Sequence, residues 1–197
     1  MTSQLAEKTA GASGNEAIAQ HCDVSSETET RDAAAATISK FNAVHILVNA
    51  AATDDRNGTI LDITAEERSR VVAVNVTGAF LMSRAVLPSM IAAGGGSIIH
   101  IASQLGRVAA PNRAAYCTSK GALIQLAKTM AVDHAGQNTR VNALSPGQSR
   151  PAAYSCCMAT WHGHDGKLDR SICSIGSVNL RKSPRPPYFW QATPQAL

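Results

Sequence analysis

At 197 residues the chain is long enough for one domain with a sizeable core, and the absence of any run of eighteen apolar residues argues against a membrane span. Its net charge of +4 suggests a nucleic-acid partner, but residues 1–147 hold 12 basic and 12 acidic side chains while 148–197 hold 6 and 2. The excess lies wholly in the last fifty positions, so the globular part lacks the basic footprint of a nucleic-acid binder.

The first fourteen residues are polar and small, without a signal-peptide pattern, and the expectation is a soluble cytoplasmic protein. In that compartment the five cysteines read as free thiols, with Cys22 and Cys117 as small packing residues.

In chain order, residues 1–11 read as the end of a helix closed by Gly11, followed by a turn at Ser13-Gly14. Residues 16–22 read as a strand. Ser26-Glu27-Thr28-Glu29 has the spacing of a capping box, a serine answered three residues later by a glutamate, and predicts a helix to about Phe41. Residues 44–48 form a short apolar run without alternation, as in a parallel strand covered on both faces. A polar loop spans 49–63, and Thr64-Ala65-Glu66-Glu67 is a second capping box, opening a long helix over 65–91. Three glycines at 94–96 break it, 97–102 is the next buried strand, a helix is predicted over 113–134, and 139–144 is the last strand. Strands alternate with helices, so the class is α/β with a parallel sheet.

The informative stretch is 103–120. It places Ser103 just after a buried apolar run, then Tyr116 and Lys120 four apart on one helix face, close enough for ammonium and phenol to interact. A phenol of ordinary pKa about 10 is a poor base at neutral pH, and a neighbouring cation favours its ionised form. Lowering that pKa by roughly three units requires about 4 kcal/mol, plausible only in a closed site. Tyr116 could then exchange a proton with a substrate hydroxyl or carbonyl, and Ser103 could hydrogen-bond the same oxygen. A Tyr-x-x-x-Lys spacing alone is weak; its companions make it specific.

Ser103, Tyr116 and Lys120 resemble the catalytic set of the short-chain dehydrogenase/reductase family, in particular its 3-oxoacyl-reductase-like members. Further segments match in the family's order: Cys22-Asp23-Val24, Leu47-Val48-Asn49-Ala50-Ala51, Asn75-Val76-Thr77-Gly78, and Arg140 through Pro146-Gly147. The resemblance covers about residues 16–147. It implies an incomplete Rossmann-type, doubly wound, three-layer sheet over 1–147. It also implies an NAD or NADP cofactor, a secondary alcohol or ketone as substrate, and homo-oligomers formed through the helices at 65–91 and 113–134. By the same resemblance Asn75 joins Ser103, Tyr116 and Lys120 in catalysis. Asp23 and Val24 would lie at the adenine, Asn49, Ala50 and Ala51 near the ribose, and Pro146 and Gly147 at the nicotinamide; Asn75, Tyr116 and Lys120 would contribute to cofactor binding too. No metal site is expected.

Two departures stand out. The family's strand, glycine-rich turn and helix are missing; Gly11-Ala12-Ser13-Gly14 is the nearest match, but no apolar strand precedes it, and it reads as a loop. Without two neighbouring strands, 16–22 either shifts beside 44–48 or has no ladder. Residues 148–197 gather five of eight prolines, five of eight aromatics and three of five cysteines without a helical or strand period. We read them as an aberrant, disordered tail from an alternative splice or shifted reading frame, with Cys156, Cys157, His162 and His164 poorly spaced for zinc. An alternative to the enzyme is therefore an inactive product that at most pairs with full-length relatives.

Overall fold

The computed structural model describes residues 2–12, 17–55 and 58–147. The expectations for 13–14 and for the tail fall outside them. Helix α1 (Thr2–Ala12) runs one residue past Gly11, which sits in its last turn instead of closing it. The strand expected over 16–22 is not formed: 17–23 has no regular structure. The physical reason is the missing ladder, because an extended segment becomes a strand only when a neighbour takes its backbone N–H and C=O groups, and the sheet holds three other strands among the described residues. The end of the segment is nonetheless buried, with Cys22 and Val24 at 1% and 3% exposure.

Helix α2 (Glu27–Phe41) begins as its capping signal predicts, Ser26 accepting a hydrogen bond from the Glu29 amide at 3.3 Å. The reciprocal half is redirected: the Glu29 carboxylate accepts from the backbone N–H of Asp23 at 2.8 Å, tying the irregular segment to the helix. Asn42, in the left-handed region at φ 67°, ends α2. At Thr64 both arms of the capping box form, opening α3 (Ala65–Val72). The single helix expected over 65–91 is in fact α3, a π-turn at Ala73–Thr77, and α4 (Gly78–Ala92). The extra residue of a π-turn rotates α4 relative to α3, and turns of this kind favour functional sites.

Strands β1 (Ile46–Asn49), β2 (Gly96–Ile101) and β3 (Thr139–Leu144) pair in parallel in the order β1-β2-β3, with Asn49 opposite His100 and His100 opposite Ala143. Parallel neighbours need helical crossovers; α3–α4 supplies the first and α5 (Ala114–Asp133) the second. One sheet face carries the core: Leu47, Ile98 and Val141 pack with Met82, Val86 and Met90 of α4, Ala127 and Met130 of α5, and Ala33 and Ala34 of α2. Burying each larger side chain contributes about 1.5–3 kcal/mol. On the opposite face Val48 and Leu144 remain 36% and 56% exposed. The partial parallel α/β sheet read from the sequence is thus present, and the described residues contain one of its helical layers. The helical run Ala65–Ala92 is long and apolar enough to cross a bilayer, yet here Val71, Met82, Val86 and Met90 are buried in the protein.

Candidate active site

The carboxyl end of β2 meets the second turn of α5, where Lys120 reaches the carbonyl of Ile101. Leaving β2, the backbone N–H of Ala102 donates to Leu144 at 2.7 Å and that of Gln104 to Pro146 at 2.9 Å. Ser103 and the Pro146-Gly147 turn are therefore held side by side, at the edge where open α/β sheets bind ligands. A short turn at Gln104–Gly106 comes next, and Ser103 caps it by accepting from the Leu105 amide at 3.1 Å. Among the described residues the Ser103 hydroxyl proton has no acceptor. Gly106 lets this turn lie flush on α5, since a Cβ there would sit 2.7 Å from the carbonyl of Lys120.

On α5 the predicted pair is brought together. The Lys120 ammonium lies 5.5 Å from the centre of the Tyr116 ring and donates to the carbonyl oxygen of Ile101 at 2.7 Å. Lys120 is only 2% exposed, and burial lowers its pKa to about 8, opposed by the carboxylate of Asp54. Removing a lysine from water disfavours its charged form, so the site holds a cation with a reduced hold on its proton. The described residues engage one of its three donors, which leaves two for hydroxyl groups such as those of a ribose. The donor set therefore fits the sugar of a dinucleotide cofactor.

Asn75 is buried at 1% and joins three elements. Its Oδ1 accepts from the Thr53 amide at 2.7 Å, and its Nδ2 donates to the Thr53 carbonyl and the Ser119 hydroxyl, each at 2.9 Å. Ser119 in turn donates to the carbonyl oxygen of Tyr116 at 2.8 Å. Arg70 holds the same loop through the Thr53 hydroxyl at 2.8 Å and the Asp54 carbonyl at 3.1 Å. Gly78, just after the π-turn, accepts Val24 so closely that a Cβ would lie 2.7 Å from its side chain.

Other proposed cofactor residues face elsewhere. The Asn49 amide points inward, donating to Ser83 at 3.1 Å and meeting His100 Nδ1 at 3.1 Å. Burial lowers the His100 pKa to about 4, so the ring is neutral, with Nδ1 accepting. Ala50 is exposed, and Ala51 packs against the core. The Asp23 carboxylate accepts from the Ser25 amide and hydroxyl at 3.0 and 2.6 Å, in a local turn before α2. Cys22, read as a packing residue, is 1% exposed, with its thiol pushed up to about 11 by burial. Among the described residues no group of side chains could hold a metal ion.

Sequence reading missed the acids at 54 and 55. Asp54 pairs with Arg113, and burial raises its pKa. Asp55 accepts from the amides of Ala115 and Tyr116 at 2.9 and 3.1 Å. Two acids in a polar loop carry no period; the one signal was that Arg113, preceding α5, cannot cap it.

Residues 2–154 match the family model described as short chain dehydrogenase. The chain is 48% identical over 127 residues to a 2-(R)-hydroxypropyl-CoM dehydrogenase of Xanthobacter autotrophicus, covering 64% of this chain and 51% of that protein. Among solved structures it resembles a 3-ketoacyl-(acyl-carrier-protein) reductase from Brucella melitensis complexed with NADH, with TM-score 0.70 and 35% identity over 74% of this chain and 62% of that one. It also resembles an NAD+-bound xylitol dehydrogenase, with TM-score 0.72 and 38% identity over 75% and 58%. The chain spans about half the length of the curated relatives it matches.

Proposed function

Because this chain belongs to the short-chain dehydrogenase family, we propose that it serves an NAD- or NADP-dependent interconversion of a secondary alcohol and a ketone, with Tyr116 as general acid and base. The observation that carries this reading is the buried Lys120 ammonium, 5.5 Å from the Tyr116 ring.

In the reducing direction the Tyr116 hydroxyl gives its proton to the substrate oxygen, and the phenolate that remains is stabilised by the Lys120 cation. In the oxidising direction the phenolate removes the alcohol proton. Ser103 donates to the same oxygen, because its Oγ accepts from Leu105 and its proton has no acceptor among the described residues. Asn75 keeps the loop after β1 and the Tyr116 turn in register. The two remaining Lys120 donors would hold ribose hydroxyls, with Pro146 and Gly147 beside the nicotinamide. When bound, a nicotinamide would supply the hydride for reduction in its reduced form and take up the hydride released by the alcohol in its oxidised form. Asp23, Val24, Asn49, Ala50 and Ala51 would shape the rest of the cofactor surface through backbone and packing, since their side chains are engaged elsewhere or small.

The test is a fluorescence titration of NADH and NADPH against this chain, then turnover on small secondary alcohols and ketones. Stoichiometric binding with Tyr116-dependent turnover supports the reading; no binding of either nucleotide rejects it. A second reading, a non-catalytic chain that pairs with its relatives, draws on Phe80 of α4 and Val132 of α5, 48% and 79% exposed. Light scattering that finds only monomers, alone and mixed with a full-length relative, would remove it.

A further inference from the structure

We propose that Asp55 is the positioning residue for Tyr116, acting as the N-terminal cap of α5 from sixty residues upstream. Helix α5 begins without a cap of its own: Arg113 occupies the capping position, makes no side-chain capping bond, and no acid lies in the first turn. The first backbone N–H groups of a helix have no partner inside it and carry partial positive charge. Asp55 meets that need. Its Oδ2 accepts from the N–H of Ala115 at 2.9 Å and from that of Tyr116 itself at 3.1 Å.

The carboxylate is committed to this role. Its side chain is fully buried, and Oδ1 has no hydrogen-bond partner among the described residues, its nearest cation being Arg113 Nη1 at 3.9 Å. Arg113 is itself engaged by Asp54, whose Oδ1 accepts from the Asp55 amide at 2.9 Å. Just beyond, the Gly58 amide donates to Asn112 at 3.4 Å, and Gly58 bridges Arg113. Upstream, Asn75 pins Thr53. The loop leaving β1 is thus fastened at both ends, and its one fully buried acid grips the residue that bears the phenol.

An ordinary cap stabilises a helix wherever it begins. Here the cap also sets the azimuth of the first turn, so its loss moves the Tyr116 ring relative to Lys120, whose own position is fixed by Ile101. A displacement of about 1 Å at a reacting group can cost on the order of 10²-fold in rate. That kinetic consequence rests on the function proposed above; the positioning does not.

The experiment labels the whole chain with 3-fluorotyrosine and assigns the Tyr116 fluorine resonance by its loss in Tyr116→Phe. Asp55→Ala should shift or broaden that resonance, and Asp55→Asn, whose amide oxygen can accept the same two bonds, should restore it. Thr64→Ala removes the comparable cap of α3 and should leave it unmoved. Should Asp55→Ala fail to fold, Asp55→Glu replaces it, with the same displacement expected from its longer reach. An unmoved resonance in the displaced variant, an equal shift in Thr64→Ala, or no rescue by asparagine overturns the proposal. If the wild-type chain turns over, kcat should fall in Asp55→Ala with KM little changed, and recover in Asp55→Asn. If it does not turn over, the enzymatic reading fails while the fluorine result still decides the role of Asp55.

Discussion

The Lys120 ammonium donates to the carbonyl oxygen of Ile101 at 2.7 Å, so the last residue of a strand fixes the cation that lies beside the Tyr116 ring. The pair on the helix is therefore anchored to the sheet, and its geometry does not depend on two flexible side chains finding each other. Four measurements would check this arrangement and the groups around it.

Tyr116→Phe removes the proton and keeps the ring. Turnover of an alcohol or ketone should fall by about 10²-fold or more, as read by nicotinamide absorbance at saturating nucleotide. Retention of most of the turnover would discard Tyr116 as the acid and base.

Lys120 links function to stability in opposite senses. Folding lowers its pKa to about 8 from an ordinary value near 10.5, so between those limits the unfolded chain binds more protons and folded stability rises with pH. Activity should do the reverse, falling above about pH 8 as the cation is lost. Lys120→Met should abolish turnover and flatten the rise in denaturation midpoint over that window. An unchanged slope in the variant would refute the buried-cation account.

His100 governs the acid side. Its folded pKa of about 4 lies below the ordinary 6.5, so the unfolded chain takes up the extra proton between these values and stability is lost as pH falls through them. Wild type should lose roughly 1–3 kcal/mol more than His100→Asn between neutral pH and pH 4. Equal losses in urea denaturation would place the acid sensitivity elsewhere.

Gly106→Ala tests the close contact between the Ser103 turn and α5. A Cβ there meets backbone atoms of Lys120 at 2.7 Å, which cannot rotate away, so the substitution should cost about 1–3 kcal/mol and reduce turnover although no reacting group is altered. Gly136→Ala, with nothing within 4 Å, serves as the control and should be nearly neutral. Thermal melts of the two variants distinguish them.

Much of this protein was legible in the amino-acid sequence. Thr64 and Glu67 announced α3 because a capping box is satisfied by residues three apart. Strands β1 and β2 announced themselves as short apolar runs, and the spacing of Tyr116 and Lys120 put both on one helix face. These are local facts, decided by neighbours a few residues apart. The segment at 17–22 misled for the complementary reason: a strand is made by its partner, and among the described residues the sheet offers none to it.

The inward turn of Asn49 onto His100, the bond from Asn75 to Ser119, and the capping of α5 by Asp55 were decided only in three dimensions. Each depends on groups brought together across tens of residues: Asn49 on His100, Asn75 on Ser119, Asp55 on Tyr116. The sequence by itself determined that Tyr116 and Lys120 share one helix face, because helix spacing is periodic. The tertiary structure alone decided what holds them in place, because buried polar groups must find partners wherever the packed chain supplies them.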